Sequence, residues 1–157
     1  MKTPRMKVSF RDRDLGFKGL VKLAFGFRQA SVAVGVTEAD GAKPEGALTV
    51  LDVANIHEFG LGTAPERSFL RAYFDQNEPR IQKMLIALME AALKGKYTKE
   101  QILEILGQKM VGEIQARISA GIEPPLAQAT IDRKGSSTPL IDTGQLRASI
   151  TYKASLE

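Results

Sequence analysis

The chain has 157 residues, of which 43% are hydrophobic and 25% charged, a composition typical of an ordinary soluble globular protein of one domain. It has no cysteine, which excludes disulfides, thiolate nucleophiles and cysteine metal sites. No apolar run approaches the roughly 20 residues of a membrane-spanning helix, so no membrane partner is expected. The formal net charge is +4, but residues 1–28 alone carry +6 and the remainder −2.

The excess of basic residues predicts an N-terminal arm over residues 1–12, followed by a single domain over residues 13–157. The arm combines charge with few apolar anchors, so we predict that it is mobile. Its basic residues are not followed by an apolar stretch, so we expect no secretion signal. A basic arm suits contact with nucleic acid or an acidic partner, and a solvated terminus is the alternative.

The first predicted elements are a helix, a strand and a second helix. Apolar residues recur at helical spacing from Leu15 to Phe27, although each of three glycines weakens this helix by about 1 kcal/mol. Alternating valines in QASVAVGVT predict a half-buried strand. After the loop EADGAKPEGA, Thr49 is placed to cap a helix that ends at Gly60.

The segment GLGTAPE is predicted to be a loop, and SFLRAYF a separate helical turn. Asn77 as a cap and Pro79 in the first turn then predict a new helix that ends at Gly95. The residues of the helical turn that we expect to face inward are Phe69, Leu70, Tyr73 and Phe74.

The strongest predicted helix begins with a capping box of Thr98 and Gln101 and runs to about Ala120. PPLAQATIDRKG then predicts a short helix after Pro125, SSTPLIDTG a loop, and RASITYKA a final strand. The i,i+4 ridge that we expect in the core comprises Ile102, Leu106, Met110, Ile114 and Ile118.

Together these elements predict an α+β fold, in which a small, mainly antiparallel sheet is covered by several helices in a single domain. The two predicted strands lie near opposite ends of the chain. Sequence spacing alone leaves open whether they run parallel or antiparallel.

The only histidine, His57, stands beside Glu58, where a catalytic or metal site would be sought first. Leu61 occupies the position at which a zinc-binding helix has its second histidine, and adjacent helical residues point in different directions. We therefore predict no catalytic residue, no metal and no cofactor. Instead, His57, Glu58 and Phe59 end a helix, and Gly60 and Gly62 allow a sharp turn.

Two further patterns concern charge and turns. Arg67 and Arg71 lie one turn apart if the segment is helical, which predicts a charged stripe. Short polar side chains at Asp142 and Thr143, followed by Gly144, predict a turn before the last strand, from which Arg147 would project.

Two segments resemble a known protein family. IHEFGLGTAPERSFLRAYFDQN resembles the EFG … P-x-R-x-F-L-R segment of the tail-completion or neck proteins of long-tailed bacteriophages, a virion-morphogenesis group that includes minor tail components. PPLAQATIDRKGSSTPLIDTGQLRASITY is similar to a second signature of that group, in which a T-x-x-R-K-G … P-L-x-D-T-G-x-L-R-x-S-I run leads into a final strand. Related chains often have proline where this one has Glu66 or Ser68.

The resemblance implies an α+β fold, no catalysis, and assembly into a ring, usually a hexamer, at the head–tail joint of the virion. Such a ring is assembled in the host cytoplasm. Its implied partners are further copies of the chain and other neck and tail proteins, namely head-completion, tail-terminator or tail-tube proteins. The residues that we expect at subunit or partner contacts are Arg67, Arg71 and Arg147.

Two alternatives remain open. One is a tail-terminator subunit. The other is a small nucleic-acid-binding module that uses the basic arm for non-specific contact with DNA.

Overall fold

The structure is a computed structural model that describes residues 17–37, 48–126, 132 and 144–156. The arm over residues 1–12, the helix predicted after Pro125 and most of the SSTPLIDTG loop lie outside the described residues. The described part of the chain contains no helix that is both long and apolar enough to cross a membrane. Its elements are α1 Phe17–Gly26, β1 Ala30–Val36, α2 Val50–Phe59, α3 Arg71–Leu93, α4 Lys99–Ala120, α5 Gln145–Ala148 and β2 Ile150–Leu156.

The two strands form an antiparallel sheet, and the predicted α+β class is confirmed. Pairing runs in continuous register from Ala30 opposite Leu156 to Val36 opposite Ile150. The three valines of β1 pack against the core, as their alternation with small residues predicted. β1 and β2, which lie near opposite ends of the chain, are therefore neighbours in the sheet.

Helix α4 packs against both strands and against α3. All five residues of its predicted ridge are buried, with relative exposures between 0% and 7%. Phe69, Tyr73, Leu146 and Ile150 complete the same core from the other elements. The i,i+4 pattern thus identified the central helix correctly.

Two helix starts follow from local sequence. The Thr49 side chain accepts from the backbone N–H of Asp52, and the Asp52 carboxylate accepts from the Thr49 backbone N–H at 2.8 Å. Thr98 and Gln101 make the same reciprocal pair at the start of α4. Both arrangements satisfy N–H groups that the first helical turn leaves without a partner.

The predicted break near Asn77 and Pro79 is wrong, because α3 continues through both residues. The Asn77 side chain donates to the Tyr73 carbonyl at 2.8 Å, so it does not cap a new helix. Pro79 has no N–H to donate to the Asp75 carbonyl. Both residues are exposed, so water can donate to that carbonyl instead. Packing against the core then holds both halves of the helix in line, through Phe74, Ile81, Met84, Leu85 and Leu88.

The start of the last strand also differs from the prediction. Gly144, with φ of 76°, precedes the four-residue helix α5, and β2 begins only at Ile150. Arg147 therefore lies on a helical turn and not on the strand. Leu146 is buried on this turn and belongs to the core, so the turn brings an apolar residue into the interior before the strand begins.

Candidate functional site

The predicted turn after α2 is present, and Gly60 is needed there for two reasons. Its φ of 65° is left-handed, and its N–H donates to the Ile56 carbonyl to close the helix. A Cβ at position 60 would also lie 2.8 Å from the backbone nitrogen of Glu66. Gly62 has φ of 68° but open space around it, so its backbone conformation alone favours glycine there.

The buried carboxylate of Glu58 organises the segment that follows this turn. Its Oε1 accepts from the Ser68 hydroxyl at 2.6 Å and from the Arg71 backbone N–H at 2.9 Å. Its Oε2 accepts from the backbone N–H groups of Phe69 and Leu70 at 2.9 and 3.0 Å. Leu70, at the N-cap position of α3, has no side-chain capping bond, so Glu58 caps this helix from α2.

These contacts also define the chemistry of Glu58. Burial would raise the pKa of the carboxyl, but the bonds from Ser68 and from the backbone of Leu70, Arg71 and Phe69 outweigh it, and the pKa lies below its ordinary value. Both oxygens of the carboxylate are fully engaged. A carboxylate held in this way is suited to stabilising a helix end and a turn, and is poorly suited to moving a proton.

Arg67 ties this turn to a distant part of the chain. The guanidinium donates from Nε to the Pro124 carbonyl at 2.8 Å and from Nη2 to the Pro125 carbonyl at 3.1 Å. Its backbone N–H donates to the His57 carbonyl at 2.7 Å. Arg67 is 4% exposed and its hydrogen bonds lie within the chain, and its role as a subunit contact stays a prediction.

The predicted charged stripe of Arg67 and Arg71 is wrong. It required both residues to lie on one helix, and α3 begins only at Arg71. Arg71 forms an ion pair with Glu66, and its guanidinium lies 5.5 Å from the centre of the Phe59 ring. Its side chain is still 50% exposed. Arg71 therefore lies on the surface and remains available to a partner, whereas Arg67 is buried in the single chain.

Arg147 is exposed on α5 and is held only by neutral groups among the described residues. Its Nη1 lies 3.1 Å from the Ser119 hydroxyl, and its carbonyl accepts from the Gln115 side chain at 3.2 Å. Of the turn predicted before it, Gly144 is described, while Asp142 and Thr143 lie outside the described residues. Its role as a contact residue stays a prediction.

An apolar surface adjoins the Glu58 turn. Phe59 is 53% exposed and Leu51 is 40% exposed, although both are large hydrophobic residues. A shallow cavity of about 270 Å³ lies between α2, the start of α3 and the end of β1. Its walls include Val36, Leu51, Phe59, Phe69, Leu70 and Arg71.

A second polar cluster, which sequence analysis missed, joins α3 to α4. The Tyr73 hydroxyl donates to Glu113 at 2.7 Å, and Arg80 and Lys109 form ion pairs with the same carboxylate. The bond from Arg80, opposed by burial and aided by the bonds from Tyr73 and Lys109, lowers the pKa of Glu113 to about 2. Burial and the bond to Glu113 raise the pKa of Tyr73 to about 12. Lys109 is only four positions from Glu113, but Tyr73 and Arg80 stand 40 and 33 positions from it, so no local pattern signals the contact between α3 and α4.

Comparison of the chain with protein-family models, curated proteins and solved structures gives no match. The predictions that concern function depend instead on the residues described above.

Proposed function

We propose that the chain is a structural subunit of the head–tail joint of a long-tailed bacteriophage, a tail-completion or neck protein that assembles as a ring and connects the DNA-filled head to the tail. One observation carries the proposal. The two segments that resemble this family lie far apart in sequence, yet Arg67 of the first donates two hydrogen bonds to Pro124 and Pro125 at the start of the second.

The first segment is held rigidly, as a surface that binds a partner protein should be. Glu58 caps α3, Gly60 forms the turn, Arg67 holds the first two residues of the second segment, and Phe69 is fully buried in the core. Each of these roles stiffens the segment. A binding surface held on rigid elements loses little conformational entropy when a partner docks.

The same segment leaves other side chains on the surface. Phe59 and Leu61 are about half exposed, and Arg71 stands at the rim of the apolar cavity. An apolar patch bordered by charge is a common feature of protein–protein contact sites. In a head–tail joint, this surface would face a neighbouring subunit or a neck or tail protein.

The test is a phage or prophage that lacks this gene, complemented with wild type, Arg71→Glu, Arg147→Glu or the control Lys83→Glu. Lys83 is exposed on α3 and receives the same reversal of charge. We expect the deletion to accumulate DNA-filled heads and separate tails in electron micrographs. At least one arginine variant should reproduce the defect, because an unpaired or like charge at an interface costs several kcal/mol, and the control should not.

The possible results separate the claims. Infectious particles of normal form from the deletion would remove the joint assignment. Normal particles from both arginine variants would remove these two residues as its contacts. Strong, salt-dependent DNA binding by a chain that is dispensable for joining would favour the nucleic-acid-binding alternative, to which the charge of +6 over residues 1–28 points.

A further inference from the structure

Within the described part of the chain the sheet has two strands, so each of them pairs on one side and its other edge is open to the described residues. The orientation of the backbone follows from one bond, in which the Thr37 N–H donates to the Ser149 carbonyl at 3.2 Å. In an antiparallel ladder, alternate residues point their N–H and C=O groups toward the partner strand and away from it. Residues 31, 33 and 35 therefore bond to β2, and Val32, Val34 and Val36 point their backbone groups outward.

The same alternation applies to β2, where the backbone groups of Tyr152 and Ala154 point away from β1. The first outward group of β1 is occupied, because the Ala30 N–H donates to the Phe27 carbonyl at 3.1 Å. Among the described residues, no hydrogen bond occupies the outward groups of the positions that follow on β1, namely Val32, Val34 and Val36, or those of Tyr152 and Ala154 on β2. Each edge is thus a row of donors and acceptors ready to pair with another strand.

The open edge of β1 also lacks the features that prevent such pairing. Soluble proteins protect edge strands with lysine, proline, bulges or very short length. β1 is seven residues long with the sequence ASVAVGV, and its register with β2 is continuous over the whole strand. It has no charge, no proline and no bulge to exclude a partner strand.

A second observation concerns the apolar surface beside this edge. Val36, at the end of β1, lines the same cavity as Leu51 and Phe59, which are both substantially exposed. The open edge therefore leads directly into an exposed apolar surface. A strand that pairs with β1 would lie next to this surface, and the chain that carries it would cover part of it.

We propose that the occupant is a second copy of this chain, whose β2 pairs through its open edge with the open edge of β1. One subunit carries both edges, and they differ, so the contact is heterologous and each new copy offers the same free edge again. When successive copies are related by rotation about the axis of a ring, each β2 lies antiparallel to the β1 of the neighbouring copy. The two-stranded sheets of all copies then form one continuous sheet. Strand pairing itself needs only the two edges, while closure into a ring rests on the proposed function.

The test uses two variants, each of which removes one outward donor. Val34→Pro deletes an N–H on the open edge of β1, and Ala154→Pro deletes one on the open edge of β2. Proline is tolerated on an edge strand where its missing N–H faces solvent, so the ladder within the subunit keeps its bonds. Far-UV circular dichroism and thermal melting establish that each variant is folded.

We expect the wild-type chain to associate as its concentration rises in sedimentation velocity, and each variant to remain a monomer. An equimolar mixture of the two variants should form one-to-one pairs and nothing larger, because each variant keeps only one edge that can pair with another chain. Continued association of Ala154→Pro alone would point to pairing of two β1 strands and overturn the proposal. A wild-type chain that is still monomeric at about 1 mM, a concentration at which even a Kd of about 1 mM would be detected, would overturn it as well.

Amide hydrogen exchange in the wild-type chain gives an independent measurement that needs no variant. The amides of Val32, Val34 and Val36 should gain at least tenfold protection as concentration rises, whereas those of Ser31, Ala33 and Gly35 should be protected throughout. Unchanged exchange at the three valines in the associated state would place the contact elsewhere and contradict strand pairing. The phage complementation would still test the assignment to the head–tail joint after that result. Conversely, a gene that proves dispensable for joining would remove the joint assignment without contradicting strand pairing.

Discussion

The ring of Tyr152 lies so close to Gly107 that a Cβ added at position 107 would meet its Cδ2 atom at 2.2 Å. Gly107 is buried on α4, and Tyr152 lies on β2 opposite Val34. Glycine costs about 1 kcal/mol relative to alanine within a helix. At position 107 the absence of a side chain lets α4 approach the sheet closely. Even a methyl group there would collide with the Tyr152 ring.

The first prediction follows from this contact. Gly107→Ala should lower the free energy of unfolding by about 1–3 kcal/mol, because the methyl group must displace a packed aromatic ring. Gly112→Ala on the same helix is the matched control, since a Cβ there meets nothing within 4 Å. It should raise stability by up to about 1 kcal/mol through helix propensity alone. Urea denaturation of both variants measures the difference, and changes of the same sign would contradict the role assigned to Gly107.

The second prediction concerns the buried arginine. Arg67→Lys should destabilise the fold by about 1–3 kcal/mol, because a lysine amine cannot reproduce the two directed bonds to the Pro124 and Pro125 carbonyls. Arg71→Lys is the control, since that side chain is half exposed and exposed ion pairs contribute only about 0–1 kcal/mol. Chemical denaturation compares the two. Equal, small losses would mean that the bonds of Arg67 contribute little to stability.

Sequence patterns predicted the elements whose causes are local. The reciprocal caps at Thr49 and Thr98 depend on residues three positions apart, and the buried ridge of α4 depends on helical periodicity. The Pro79 break failed because a strong local signal was outweighed by packing along the whole of α3. The apolar spacing from Phe69 onward continues past the proline, and it is the signal that would have corrected the prediction.

The candidate site was predicted only in part, because its key contacts are not local. The turn at Gly60 follows from glycine, but the bonds of Glu58 reach 10 to 13 residues along the chain, and those of Arg67 reach 57 and 58. A glutamate in the last turn of a helix is ordinarily solvated, and nothing in its spacing marks it as the cap of the next helix. Only the run E-F-G followed by R-x-F-L-R, taken as a unit, draws attention to these residues together.

The third prediction concerns alkaline pH. The folded-state pKa of Tyr73 is raised from 10.0 to about 12, so the contribution of this residue to stability is complete below pH 10 and is lost as the pH rises toward 12. Tyr73→Phe should cost about 1 kcal/mol at neutral pH and should lose less stability than wild type between pH 10 and 12. Guanidinium denaturation at several pH values measures this. Parallel curves for the two proteins would show that Tyr73 does not titrate in this way.

The last prediction concerns acid pH and the capping carboxylate. Because the folded-state pKa of Glu58 lies below its ordinary value of 4.5, its contribution is present above the pKa of the unfolded chain and is lost as the pH falls through the lower folded pKa. Glu58→Gln places an amide donor against the hydroxyl and N–H donors of residues 68–71, so it should lower stability at pH 7 by about 1–3 kcal/mol. Glu113 also titrates in acid, so wild type and variant should both lose stability there, with a shallower loss in the variant.

Glu66→Gln supplies the control for this measurement, because the Glu66 side chain is 56% exposed and its ion pair with Arg71 contributes about 0–1 kcal/mol. Its stability curve should therefore run close to that of wild type at every pH. The difference between wild type and Glu58→Gln should instead shrink steadily as the pH falls below 4.5, since protonation removes the charge that the four hydrogen bonds favour. A difference that stays constant with pH would show that the Glu58 charge does not stabilise the start of α3, and that shape and packing alone account for the loss.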